Sequence, residues 1–187
     1  MTMQDYHEFL AETLVSEVDL QARISELAEE INRDYKGLDL LLVCILRGGI
    51  VFLTDLMRKI TIPHTLDFMV VSSYMVGARE SSGQARISLD LRTDIFDRNV
   101  LLIEDIVDSG YTLQAVLGVL GVRKPKSLNV CVLLDKVSRR AVDIPLRYRG
   151  FVIPDKYVFG YGLDVDEYYR NLPFIGALDT GRYNPEV

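Results

Sequence analysis

Two patterns of apolar residues run through the chain. Leu20, Ile24, Leu27, Ala28 and Ile31 recur every three or four positions, the spacing of one helix face. They predict an amphipathic helix over 19–35, ended by Gly37. Leu40–Leu46 (LLLVCIL) is apolar without alternation, as a strand covered on both faces should be. Arg47-Gly48-Gly49 turns the chain into a second helix over 50–60, and a strand follows over 65–72. Residues 73–85 (SYMVGARESSGQA) are polar and long for a loop in a compact domain, a pattern typical of lids and disordered segments. A short strand is expected over 87–91. Residues 99–103 read as a buried strand entering Glu104-Asp105, and Leu113, Val116, Leu117 and Leu120 mark a helix stopped before Pro125. Residues 127–134 form another buried strand, and the C-terminal third, rich in Tyr, Pro and Asp, reads as irregular. Repeated strand–helix units predict an α/β fold, a mainly parallel sheet flanked by helices on both faces. Ligands of such sheets bind at the C-terminal strand ends. Four junctions lie there: 46–49, 72–74, 104–112 and 135–136.

Bulk properties set limits. A chain of 187 residues, 49% apolar and 26% charged, suits one soluble domain with a full core. No apolar run approaches the ~20 residues of a membrane span. The acidic start, MTMQDYHEFLAE, has no apolar signal-like region, so the expectation is a cytoplasmic protein with no membrane partner. The net charge of −6 disfavours a nucleic-acid surface. It does not disfavour an anionic small substrate, which feels the local field of its pocket. Cys44 and Cys131 sit in apolar runs and are expected to be reduced core thiols, and no Cys/His spacing suggests zinc.

The strongest chemical signal is 100–112, VLLIEDIVDSGYT. An apolar strand ends in two adjacent carboxylates, Glu104 and Asp105, then passes through Asp108-Ser109-Gly110-Tyr111-Thr112 into a helix. Gly110 lets the backbone bend around a ligand. Ser109 and Thr112 offer hydroxyls, and the free N–H groups and dipole of the helix start make an anion site suited to phosphate. A capped helix explains one acid or hydroxyl. It does not explain paired carboxylates at the end of a buried strand, which are tolerated where they accept sugar hydroxyls or approach a metal.

This stretch is neither a G-x-G-x-x-G nor a G-x-x-x-x-G-K-[ST] loop. It resembles the phosphoribosyl-pyrophosphate (PRPP) motif of the type I phosphoribosyltransferases, four hydrophobic residues followed by E/D-D and D-S/T-G-x-T. Over roughly residues 10–180 the chain resembles the hypoxanthine–guanine branch of that family, through four segments in the right order. The resemblance implies a type I phosphoribosyltransferase fold. Its core would span about 36–150, its small hood would come from about 1–35 and 151–187, and its mobile loop would span about 73–86.

The resemblance also implies the roles of individual residues. Arg47, Gly48 and Gly49 would bind pyrophosphate, with a cis peptide at Leu46–Arg47, and Arg170 would join them. Ser73 and Tyr74 would open the lid loop, where Met75 departs from the Ser-Tyr-Gly of bacterial relatives. Lys136 would donate to the 6-oxo oxygen of the purine, Tyr157 would stack on its ring, and the Val158 backbone would meet its edge. Asp164 would bind catalytic Mg2+, supported by Glu104 and Asp105, which also hold the ribose. Ser109, Gly110, Tyr111 and Thr112 would hold the 5′-phosphate, and Asp108 would exchange the proton on purine N7.

The implied reaction joins hypoxanthine or guanine to PRPP, giving IMP or GMP and pyrophosphate, in a homodimer or homotetramer. Three other readings stay open on sequence. One is a related enzyme using xanthine, adenine or uracil; Lys136 and Tyr157-Val158 argue for a 6-oxopurine, which leaves xanthine open beside hypoxanthine and guanine. Another is a regulator that keeps the PRPP fold and binds RNA or DNA, for which this acidic chain shows no basic face. The third is a phosphate-binding or receiver module, which leaves 47–49 and 157–164 unexplained.

Overall fold

The computed structural model describes residues 4–73 and 85–184. Its centre is a six-stranded sheet. In chain order the strands are β2 (Leu40–Leu46), β3 (His64–Ser73), β4 (Ala85–Leu89), β5 (Asn99–Val107), β6 (Ser127–Asp135) and β7 (Tyr148–Val152). They lie side by side as β4-β3-β2-β5-β6-β7. Every pairing is parallel except β3 with β4. The unbroken apolar run of β2 has the predicted cause, because its side chains serve two cores. Leu40, Leu42 and Cys44 pack with helix α2 (Glu17–Asp34) and helix α3 (Gly49–Lys59). Leu41, Val43 and Ile45 face the opposite cluster, which contains Leu113, Val116 and Leu120 of helix α4 (Tyr111–Val122). The five positions that predicted α2 are its buried residues, and Ser16 caps it by accepting from the Asp19 N–H. Cys44 and Cys131 are free and buried, and burial pushes both thiols far up, which keeps them inert.

The C-terminal third is not irregular throughout. Besides β7 it supplies β8 (Val158–Phe159) and β9 (Ile175–Leu178). Strand β1 (Leu10–Val15), which follows the short helix α1 (Tyr6–Phe9), joins them in a second antiparallel sheet of order β1-β9-β8. Phe9, Phe159, Val165 and Tyr169 form its own small core. The Tyr161 hydroxyl donates to Asp55 Oδ2 on α3 at 2.5 Å, tying this C-terminal segment to the main domain.

Asp67 on β3 fastens the crossing from β4 to β5. Its buried carboxylate accepts from the backbone N–H groups of Arg92, Thr93 and Phe68 at 2.7–2.9 Å. Burial alone would raise its pKa, but these donors outweigh burial and hold it below the ordinary carboxylate range. A depressed folded pKa stabilises the fold above the unfolded value of about 4, and that stability is lost as pH falls through the folded pKa. Asp67→Asn is therefore expected to cost about 1–3 kcal/mol at neutral pH by urea unfolding. The gap to wild type should narrow in acid; a gap that widens there contradicts the assignment.

Candidate active site

The site lies where the sheet changes direction. The chain leaves β2 for β3 on one side, and β5 leads to β6 and β7 on the other. The loops after β2 and β5 therefore flank a crevice at the C-terminal strand ends. A cavity of 690 Å³ fills it. Its lining brings together Arg47, Gly48, Glu104, Asp105, Asp108, Thr112, Lys136, Tyr157, Val158, Asp164 and Arg170 from segments far apart in the chain.

Backbone meets backbone at one side of this cavity. The Leu46–Arg47 peptide is cis, as expected. A Cβ on Gly48 would fall 1.6 Å from Asp105 Oδ2, so only glycine lets the 46–49 loop lie against that carboxylate. Gly162 has φ 99°, and a Cβ there would fall 2.1 Å from the Gly48 carbonyl oxygen. Arg170 closes this corner. It donates to the Gly162 carbonyl at 2.8 Å and pairs with Asp164 Oδ1 at 2.7 Å and Glu167 Oε2 at 3.1 Å. Arg47 reaches the other oxygen of Glu167 at 2.6 Å.

A second charged cluster shares the cavity. Lys136 is 8% exposed, with Nζ 3.7 Å from Asp108 Oδ2 and 3.8 Å from Asp155 Oδ1. Arg139 completes it, 2.9 Å from Asp108 Oδ1 and 3.4 Å from Asp155 Oδ2. The base of Lys136 is fixed by its N–H donating to the Val107 carbonyl at 3.0 Å, which bridges β5 and β6 just past their ends. The preceding residue, Asp135, is buried and ion-paired to Arg140 and Arg149. Tyr157 lines the same cavity and is 53% exposed, which leaves its ring surface available.

Between the clusters in sequence lie Glu104 and Asp105, which belong to β5 itself because the strand runs on to Val107 rather than stopping at 103. Glu104 Oε2 is buried and has no hydrogen-bond partner among the described residues. Burial first, and the neighbouring Asp105 second, push the Glu104 carboxyl well above its ordinary range. Burial also pushes Asp105 up to about 6, against donation from the Ile106 N–H and the pull of Arg170. A buried acceptor without a donor, as at Glu104 Oε2, favours a ligand that brings hydroxyls or positive charge. The fit to a hard divalent cation is of the same kind. Among the described residues no group of three or more His, Cys, Asp or Glu side chains forms a metal cage. Mg2+ binds through one or two carboxylates together with substrate phosphates rather than in an all-protein cage. Asp164 and the Glu104–Asp105 pair suit that mode.

Gly49, Ser109, Gly110 and Tyr111 are not among the lining residues. Gly49 is buried at the start of α3. Gly110 is the N-cap of α4 with φ 90° and makes no side-chain cap bond, so neither Asp108 nor Ser109 is spent on capping. The Ser109 carbonyl accepts from Ala141 and Val142 and so anchors the loop. Ser73 ends β3, and Tyr74 and most of the expected lid lie outside the described residues. Sequence reasoning missed Arg139, Asp155 and Glu167. Asp155 and Glu167 lie in or beside the 153–164 segment, but their partners are 16 to 120 positions away. Only the Glu167–Arg170 spacing hinted at a pairing.

These features make a charged crevice at the C-terminal strand ends, where α/β sheets bind their ligands. Residues 13–167 match the model of the phosphoribosyl transferase domain. The chain belongs to the phosphoribosyltransferase family. Among curated relatives, the hypoxanthine phosphoribosyltransferase of Salmonella typhimurium is 47% identical over 169 residues, 89% of this chain and 94% of the relative. The hypoxanthine-guanine phosphoribosyltransferase of Mycobacterium avium is 47% identical over 176 residues, 91% and 86% of the two chains. The crystal structure of a hypoxanthine phosphoribosyltransferase from Staphylococcus aureus superposes with a TM-score of 0.92 at 43% identity, covering 98% of this chain and all of that one.

Proposed function

We propose that this protein transfers the 5-phosphoribosyl group from PRPP to hypoxanthine or guanine, giving IMP or GMP and pyrophosphate, a reaction of purine salvage. The observation that carries the proposal is one cavity lined by an arginine-closed acid corner, the Lys136–Asp108 cluster and a half-exposed Tyr157.

In this reading the purine stacks on Tyr157 and its edge meets the Val158 backbone. Lys136 donates to the 6-oxo oxygen. An ammonium can only donate, so the 6-amino group of adenine leaves it unpaired and is rejected. The loop Ser109–Thr112 and the start of α4 hold the 5′-phosphate with backbone N–H groups and hydroxyls. Glu104 and Asp105 accept from the ribose hydroxyls and face the positive charge that develops on the sugar. Arg47, Gly48, Gly49 and Arg170 hold the pyrophosphate in line with the ribose carbon, so both reactants are oriented before bond exchange. Arg139 holds one oxygen of Asp108, leaving Oδ2 toward Lys136 as the oxygen that exchanges the proton at N7. Asp164, with Glu104 and Asp105, would hold Mg2+, which neutralises the leaving group when bound. Ser73 and Tyr74 begin the lid that excludes water.

The same reading divides the chain into a core at about 36–150 and a hood at about 1–35 and 151–187, consistent with the β1-β9-β8 sheet built from both chain ends. It carries a homodimer or homotetramer in the cytoplasm, acting on small molecules rather than nucleic acid or membrane. Among the described residues no helix is long and apolar enough to cross a membrane. Thermal unfolding with added ligands tests the proposal. IMP, GMP, and PRPP with magnesium should each raise Tm, and AMP and UMP should not. A shift with AMP equal to that with GMP contradicts the role given to Lys136.

A further inference from the structure

The two arginines assigned to pyrophosphate converge on a carboxylate of the protein itself. Glu167 places one oxygen 2.6 Å from Arg47 and the other 3.1 Å from Arg170, joining groups from the β2 loop and the C-terminal segment. Two guanidinium groups gripping two oxygens of one anion is the arrangement that recognises a phosphoryl group.

Glu167 is set there by its backbone. Its φ is 74°, in the left-handed region, and its N–H donates to Asp164 Oδ2 at 2.9 Å. The turn is closed by mutual backbone bonds between Val165 and Tyr168, and Tyr183 donates to the Asp166 carboxylate at 2.6 Å. The side chain itself remains 57% exposed, so it can swing into solvent without unpacking a core. Exposed ion pairs of this kind are weak. An anion with several charges outcompetes a single carboxylate for the same pair of forks.

We propose that Glu167 is an internal counter-anion of the pyrophosphate subsite. It holds Arg47 and Arg170 converged when the subsite is empty, gives way to diphosphate, and thereby lowers the affinity for diphosphate and speeds its release. The proposal rests on the reading of Arg47 and Arg170 as pyrophosphate ligands.

Calorimetric titration with inorganic diphosphate and magnesium tests it in wild type, E167Q, E167D and R47A, with GMP as the control ligand. E167Q should bind diphosphate about three- to tenfold more tightly, the scale of releasing exposed ion pairs. E167D keeps the charge but is one methylene too short to span both arginines, so it too should bind more tightly than wild type. GMP binding should stay unchanged in E167Q and E167D. Diphosphate affinity in E167Q at or below wild type overturns the proposal. So does E167D behaving as wild type, because charge alone would then explain E167Q. If R47A binds diphosphate as wild type does, the pyrophosphate reading itself fails. If R47A binds weakly while E167Q is no tighter, only the counter-anion role fails.

Discussion

Asp108→Asn is expected to lower kcat for nucleotide formation by about 10²–10⁴-fold, the range for losing a positioned acid or base, while PRPP binding changes little. Asn has nearly the shape of Asp and still offers an oxygen to Arg139, which lies 2.9 Å from Asp108 Oδ1. It cannot take or return a proton. The groups assigned to the sugar and phosphates lie elsewhere, on Glu104, Asp105, Thr112, Arg47 and Arg170 around the same cavity. The loss should therefore fall on the coupling step. Single-turnover rates with hypoxanthine, set beside calorimetric binding of PRPP with magnesium, separate the two effects. Equal losses in both would mean that Asp108 binds PRPP rather than moves the proton.

The second large effect is expected from Gly48→Ala, with kcat/KM down about 100-fold or more, the scale at which a misplacement of about 1 Å acts. The added methyl would meet Asp105 Oδ2 at 1.6 Å, and that carboxylate must rotate away or the 46–49 loop must retreat. Either response dismantles the site, because Asp105 is assigned to ribose and the loop to pyrophosphate. The colliding atom is the end of a side chain, so the fold can absorb the change, and Tm should fall only slightly. Gly162→Ala offers the contrast. Its methyl would meet the backbone oxygen of Gly48 at 2.1 Å from a left-handed φ of 99°, so both Tm and activity should drop. Full activity in Gly48→Ala would remove the steric basis for the corner described here.

The difference between what the sequence disclosed and what it concealed follows from the range of the interactions. The face of α2 was legible because five apolar residues at helical spacing have no other reading. The body of β2 was legible because a strand covered on both sides must be apolar at every position. Glu104 and Asp105 stood out because buried acids contradict the pattern around them. Strands β1, β8 and β9 were missed because they are short and because β1 pairs across the whole chain, Leu10 against Leu178, while Val158 meets Ala177 only beyond an intervening segment without regular strands. No local pattern encodes such pairing. Arg139 and Glu167 look like ordinary surface charges until the fold carries Asp108 and Arg47 beside them. The cis bond at Leu46–Arg47 came through family resemblance rather than through residue chemistry. The role of Lys136 came through the same resemblance, because a lysine at a strand end is unremarkable in sequence and its near-complete burial next to Asp108 and Asp155 is seen only in the fold.

One cavity, in this reading, joins a 6-oxopurine to PRPP. A spectrophotometric turnover assay with PRPP, magnesium and, in turn, hypoxanthine, guanine, xanthine, adenine and uracil tests it most directly. Turnover is expected with hypoxanthine or guanine, and none with adenine or uracil. Absence of turnover with every 6-oxopurine, or turnover with adenine in their place, would contradict it.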